Sequence, residues 1–411
     1  MFMKCKVLKV FFRLSLTAVL PIMSLSCEIV DHELGSEDEA GGACHVGLDQ
    51  IALVMSEIPL EQEHLNEVHC AVSSSSGNGY DEEYTMSDLF LVPGKGVGDG
   101  DSDTRGLSSK FVNPLRNLIE RHVRSSMQTR ASAGGISDPD EFLDALIRSD
   151  IQIYWPFSES WDGRSMPVIT FDPEDGADAN IGYRLIVNDD GTRHVEEVIV
   201  DEQMAKEVPV WVMNRNSDAG YTSLELLRRE DPDWGTGGGT IIVRPETKTT
   251  EVQGKSLILK DFTMNRNYDT WFAGASEFFV KVGAVDDFMA ATEAEMKLYN
   301  PLVTDFMIVV KRSQVGQSQP FNAVLISDWN PQMTHCALMI TEDDGGTITE
   351  WKCTALVRIA SKSYGVEINL PFNSRDDIAW RGQLASRWIE ANSNVLGHFG
   401  DLSLTFEVVE Y

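Results

Sequence analysis

The chain has 411 residues, and its 34 Lys and Arg against 64 Asp and Glu leave a formal net charge of −30. At roughly 150 residues per domain the length suggests two or three domains, and a content of 42% hydrophobic and 9% aromatic residues excludes wholesale disorder. So acidic a balance excludes binding to a phosphate backbone, which needs a basic face, and makes anionic headgroups poor partners for the body of the protein.

Residues 1–13 carry Lys4, Lys6, Lys9 and Arg13 without an acid, and Leu14–Leu25 follows as an uncharged, mostly apolar stretch. That stretch is too short to span a bilayer, so residues 1–26 read as a secretory signal peptide. It ends in Met23-Ser24-Leu25-Ser26-Cys27, a small residue just before a lone Cys. Residues 28–42 then hold six acids and no base, a self-repelling composition that reads as a flexible tether over 27–48. Losing 1–26 removes four bases and no acid, which takes the net charge to −34. Cys27 with its small and aliphatic neighbours, and the acidic run behind it, resemble the lipobox and export signal of surface lipoproteins of the Bacteroidota. The resemblance implies lipidation of Cys27, an outer-membrane or cell-surface address, and a membrane reached through the lipid. It implies no catalytic residue.

Residues 49–149 read as helices separated by loose loops. Pro59 opens one helix, with Leu60, His64, Leu65, Val68 and Val72 on one face. Tyr80-Asp81-Glu82-Glu83-Tyr84 is expected to be an exposed helix start. Asn113-Pro114 opens another helix, with Leu115, Leu118, Ile119 and Val123 inward, and Ser137-Asp138-Pro139 a third, with Phe142, Leu143 and Leu146 inward.

All nine Trp lie between Trp155 and Trp388, which suggests a boundary near 150. From there the texture is of short β-rich runs broken by Gly, Pro and Asp. Strands are expected at 151–155, 166–171, 182–188, 193–200, 208–214, 240–244, 255–261, 277–283, 304–312, 321–327, 335–341, 347–359, 364–370 and 402–409. Asn188-Asp189-Asp190-Gly191 is a hairpin turn signal, and Gln383–Ala391 reads as a surface helix. Even spacing of short strands points to antiparallel sandwiches, one over 150–265 and one over 266–411.

Four cysteines remain in the body. If Asp344-Gly345 is the turn between 335–341 and 347–357, Cys336 opposes Cys353 in a non-hydrogen-bonded pair, whose close spacing suits a disulfide. Cys44 and Cys70 either bridge or, with His45, His64 and His69, offer zinc-type ligands.

The chemistry of catalysis is sparse. Neither a G-x-S-x-G elbow nor H-E-x-x-H occurs, and Gly254-Lys255-Ser256 lacks the first glycine and the helix of a phosphate-binding loop. Asp99-Gly100-Asp101-Ser102-Asp103 has alternating carboxylates, but Thr104 and Lys110 stand where a calcium loop needs Gly and Glu. His122 and His194 read as ordinary structural or surface residues. Acidic pairs recur beside strand ends, at Asp189/Asp190, Asp286/Asp287, Asp343/Asp344 and Asp376/Asp377, and Asp343 and Asp344 are the candidate Ca²⁺ ligands. Trp161, Trp234 and Trp329 sit in polar, turn-rich contexts suited to stacking on a sugar ring.

These readings converge on a mostly β protein with an α-helical N-terminal region and antiparallel β-sandwich domains. The function expected is that of a non-catalytic cell-surface lipoprotein with a binding or assembly role toward a glycan or protein ligand. The alternative is an exported hydrolase working through carboxylates, with Ca²⁺. No other cofactor and no nucleic-acid partner is implied.

Overall fold

The structure is a computed structural model that describes residues 46–90, 114–131, 139–188, 190–216, 221–230, 254–285 and 287–410. The expected leader over 1–26, Cys27, the expected tether up to 45, Cys44, Asp99–Asp103, Asp189, Trp234, the strand expected at 240–244 and Asp286 all lie outside the described residues.

Five helices lead the first half: α1 Leu48–Glu57, α2 Gln62–Gly77, α3 Met86–Phe90, α4 Pro114–Ala131 and α5 Pro139–Ile147. They cover one face of a six-stranded sheet made of β1 Glu83–Thr85, β2 Ile151–Tyr154, β3 Val168–Phe171, β4 Ala179–Val187, β5 Arg193–Asp201 and β6 Val210–Arg215, in the order β1-β2-β6-β3-β4-β5. Every pair is antiparallel except β3 with β6. The apolar helix positions anticipated from 3.6-residue spacing, Leu65, Val68, Val72, Ile119, Val123, Phe142 and Leu146, join Ile151, Ile153, Ile169, Trp211 and Met213 in one core. The helical region and the first strands therefore share a single hydrophobic interior. Alternation along β6 sends Val210 and Val212 to the other face, where Trp271 and Phe272 from the second half cover them. Glu67 shows how closely the helices are tied. Its buried carboxylate accepts from the Leu115 N–H at the start of α4 (2.8 Å) and from the Tyr84 hydroxyl (3.1 Å).

The second half is a sandwich. Its strands are β7 Lys255–Met264, β8 Ser276–Ala284, β9 Leu302–Val310, β10 Gln319–Ile326, β11 Met333–Glu342, β12 Ile348–Ile359, β13 Lys362–Asn373, β14 Asp377–Ala385, β15 Leu396–Phe399 and β16 Leu402–Glu410. A four-stranded sheet, β10-β7-β16-β15, faces a sheet ordered β13-β12-β11-β8-β9, with β14 also paired to β11. Leu257, Leu259, Phe262, Phe321, Leu402 and Leu404 from the first meet Phe278, Val280, Val282, Ile308, Leu338 and Ile340 from the second. The protein is thus mostly β, with its helices at the N-terminal end and several antiparallel sheets. β7 belongs to this sandwich, so residues 255–264 pack with the C-terminal strands.

Several expectations need correction. Asp81, Glu82 and Glu83 are buried, and Glu83 and Tyr84 lie in β1. They plug the junction between the two halves: an Asp81 oxygen accepts from the Ala275 N–H (2.9 Å), and Glu82 pairs with Lys311 (3.1 Å). The run 383–391 splits, with β14 continuing to Ala385 before the short helix Ser386–Ala391. Cys336 and Cys353 are both free. The positive-φ positions of their connection are Gly345 and Gly346, one residue beyond the expected turn, and β12 pairs with β11 only at Met333/Val357 and His335/Leu356. From there the β12–β13 hairpin folds over the outer face of β11, packing Cys353, Ala355 and Ile368 against Ala337 and Met339. Cys336 points the other way, into the core between the sheets. The two thiols are on opposite faces of β11, and no disulfide forms among the described residues.

Candidate functional site

The loop between β7 and β8 and the facing ends of β8 and β11 bring together Asp269, Glu277 and Glu342. One carboxylate oxygen of each lies within 4.8 Å of the others. Two forces place them there. Pairing of β8 with β11 sets Glu342 opposite Phe278, and the Asp343 N–H donates to the Glu277 carbonyl (2.9 Å) to extend that register. Arg312 secures the loop through an N–H donated to the Asp269 carbonyl (3.0 Å), while its Nε pairs with Glu202 at 3.4 Å. Its guanidinium is therefore bonded to Glu202 and the backbone.

Glu342 is only 1% exposed, and no nitrogen or hydroxyl donor reaches either of its oxygens. Burial, and then the carboxyl of Asp269, hold its pKa far above the usual carboxylate range. Asp269 is raised as well, again chiefly by burial. A second tier flanks this group. Asp344 is pushed up to about 6 by burial and by Asp269, and Asp376 to about 6 by burial.

The sequence-predicted ligands stand beside the cluster without forming it. Asp343 Oδ1 is satisfied by the Gly345 N–H (3.0 Å) and Asn373 Nδ2 (2.9 Å), which fixes the loop, while the Asp344 N–H faces Asp376 at 3.4 Å. Two of the four acidic pairs, Asp343/Asp344 and Asp376/Asp377, do meet at one tip of the sandwich. Strand assignment explains the displacement: β11 runs one residue past 341, so Glu342 is the last strand residue and points inward. Glu277, a lone acid in the apolar run Ser276-Glu277-Phe278-Phe279-Val280, carried the available signal. Asp269 had none.

The other candidates are engaged in the fold. Trp329 is 5% exposed and donates its Nε1–H to the Met333 carbonyl (3.0 Å), so it is a core anchor and offers no stacking face. Trp161 is half-buried against Trp155 and His69, with its Nε1–H on Ser165. His64 Nδ1 accepts from the Glu61 N–H (2.9 Å) to cap α2. Cys70 is exposed and free.

A second feature is the β4–β5 ribbon. Alternation puts Ile181, Tyr183, Leu185 and Val187 on one face, opposite Ile199, Glu197, Val195 and Arg193 of β5 in that order. Tyr183 packs into the helix-side core. Away from it the face opens to solvent, with Ile181 42%, Val187 59% and Ile199 65% exposed. β5 ends the sheet order, so among the described residues no strand pairs with its outer edge, and Glu196 and Glu197 stand at its middle.

The fold and these features define an α+β layer joined to a β-sandwich. No family model, curated protein or solved structure matches the chain. No helix among the described residues is long and apolar enough to cross a membrane.

Proposed function

We propose that the protein is an exported, lipid-anchored binding or assembly protein that takes an extended segment of a partner protein along β5. Export and anchorage rest on the basic and apolar leader, Cys27 and the acidic run after it. The binding reading is carried by the β4–β5 ribbon, which combines an edge that no described strand pairs with and the exposed side chains of Ile181, Val187 and Ile199. Backbone groups along such an edge give affinity to an added strand, and side chains on the open face select it. Glu196 and Glu197, on opposite faces of β5, guard the edge against indiscriminate pairing, so a fitting segment carries a basic residue toward each face and apolar residues toward Val195 and Ile199. A glycan ligand has less support, since Trp329 is buried and Trp161 is packed against its neighbours. The hydrolase alternative is weakened because Glu277 and Glu342 are buried away from any polymer.

Selection of displayed peptides against the folded mature chain tests this. The expected outcome is an enriched pattern of apolar residues interspersed with basic ones, with binding lost in the Ile181→Asp/Ile199→Asp double variant. Peptides that bind that variant equally well, or glycan binding that survives it, would replace this reading.

A further inference from the structure

We infer that Asp269, Glu277 and Glu342 form a binding site for a hard divalent cation, Ca²⁺ above all, that pins the β7–β8 loop to the ends of β8 and β11. The first ground is geometric. Oxygens on opposite sides of a Ca²⁺ ion, at about 2.4 Å from it, are about 4.8 Å apart, and the three carboxylate oxygens lie within 4.8 Å of one another. The donor set is all oxygen, which suits Ca²⁺, Mg²⁺ or Mn²⁺ and not the sulfur- and nitrogen-seeking metals. Ca²⁺ accepts irregular coordination more readily than Mg²⁺, which demands a near-ideal octahedron.

The second ground is independent of the clustering. Glu342 is 1% exposed and aimed into the cluster, no nitrogen or hydroxyl donor reaches either oxygen, and its one hydrogen-bonding contact there is the carboxyl of Asp269. A buried polar group without a partner is costly, and a buried carboxylate especially so. Three nearby protein cations make their bonds elsewhere, although the charge of Arg312 also bears on the Asp269 carboxyl. Arg312 bonds Glu202 and a backbone carbonyl, Lys311 bonds Glu82 and Ser76, and Lys281 bonds Asp305. A bound divalent cation replaces the proton that Glu342 and Asp269 share and supplies the positive charge that lets the buried carboxylates ionise together.

Position gives the site a consequence. Asp269 is two residues before Trp271 and three before Phe272, which cover the first sheet, and Ala275 in the same loop donates to Asp81. A cation at Asp269 therefore holds the loop that joins the halves.

The experiment is a calcium titration of the chelator-treated mature protein, followed by thermal melting and by calorimetry, with Mg²⁺ and Mn²⁺ in parallel. With the affinity common for exported modules, about 10⁻⁴–10⁻³ M, 5 mM Ca²⁺ raises the melting temperature by roughly 2–9 °C. Glu342→Gln and the partly exposed Asp269→Asn each abolish most of that shift. Terbium bound in place of Ca²⁺ should luminesce through Trp271 in the wild type, which gives a readout for folded protein apart from stability. A wild-type protein that shows no shift, no heat and no sensitised terbium emission overturns the assignment. So does a calcium shift retained in full by both variants. A response to Mg²⁺ or Mn²⁺ alone keeps the site and overturns the choice of Ca²⁺.

Discussion

Replacing Trp329 by Ala distinguishes a core anchor from a ligand-stacking residue. Trp329 lies between β10 and β11, inside the sandwich core, with its backbone N–H donating to the Lys255 carbonyl (2.7 Å) and its indole N–H to the Met333 carbonyl (3.0 Å). Truncating a buried Trp costs about 3–5 kcal/mol through lost transfer energy and the cavity left behind. Leaving the Met333 carbonyl without its indole donor adds about 1 kcal/mol or more. At about 2–4 °C per kcal/mol for a unit of this size, the variant should melt roughly 10–20 °C lower. Urea unfolding followed by circular dichroism measures it. Trp161→Ala, at a half-buried position, should cost about 1–2 kcal/mol. A Trp329→Ala protein within about 1 kcal/mol of wild type that has lost binding on a glycan array would refute the reasoning and restore the sugar-stacking role.

Two more outcomes follow from the described geometry. Burial and neighbouring Asp81 push Glu82 up to about 8, opposed by Lys311, so the folded protein keeps a proton that the unfolded chain releases above about 4.5. The stability it contributes is present at low pH and lost as pH rises through about 8. Glu82→Gln should therefore gain on wild type between about pH 5 and about pH 8, and parallel stability profiles would contradict this. Maleimide labelling of the native protein should modify Cys70 at once and reach Cys336 and Cys353 only after unfolding, without prior reduction. A mass map that finds Cys336 joined to Cys353 would show the strand register to be wrong.

Much of the β framework was legible because two-residue alternation and turn residues speak for themselves. The pair β4 and β5 around Asn188–Gly191 is an example, and so are the helix faces of α2, α4 and α5. What escaped was set by tertiary context. The short strand β1 carries Glu83 and Tyr84, and its acidic neighbours look solvated until a second half packs over them. A one-residue difference in turn position moved Cys336 away from Cys353, and a one-residue difference in strand length moved Glu342 out of a loop and into the interior. Side chains on opposite faces of a strand alternate with each residue, so such small shifts reverse what a residue can touch. Asp269 meets Glu342 across 73 residues of chain, counted from the numbering, and no local pattern announces a contact of that range.

The most direct test of the binding role places a photo-crosslinking amino acid at Ile199 in the full-length protein, expressed in living cells, with Lys352 on the sandwich as the control position. The account predicts a discrete protein adduct from position 199, mapped to an extended segment, that is absent from position 352. Adducts from both positions alike, or from position 352 alone, would contradict it.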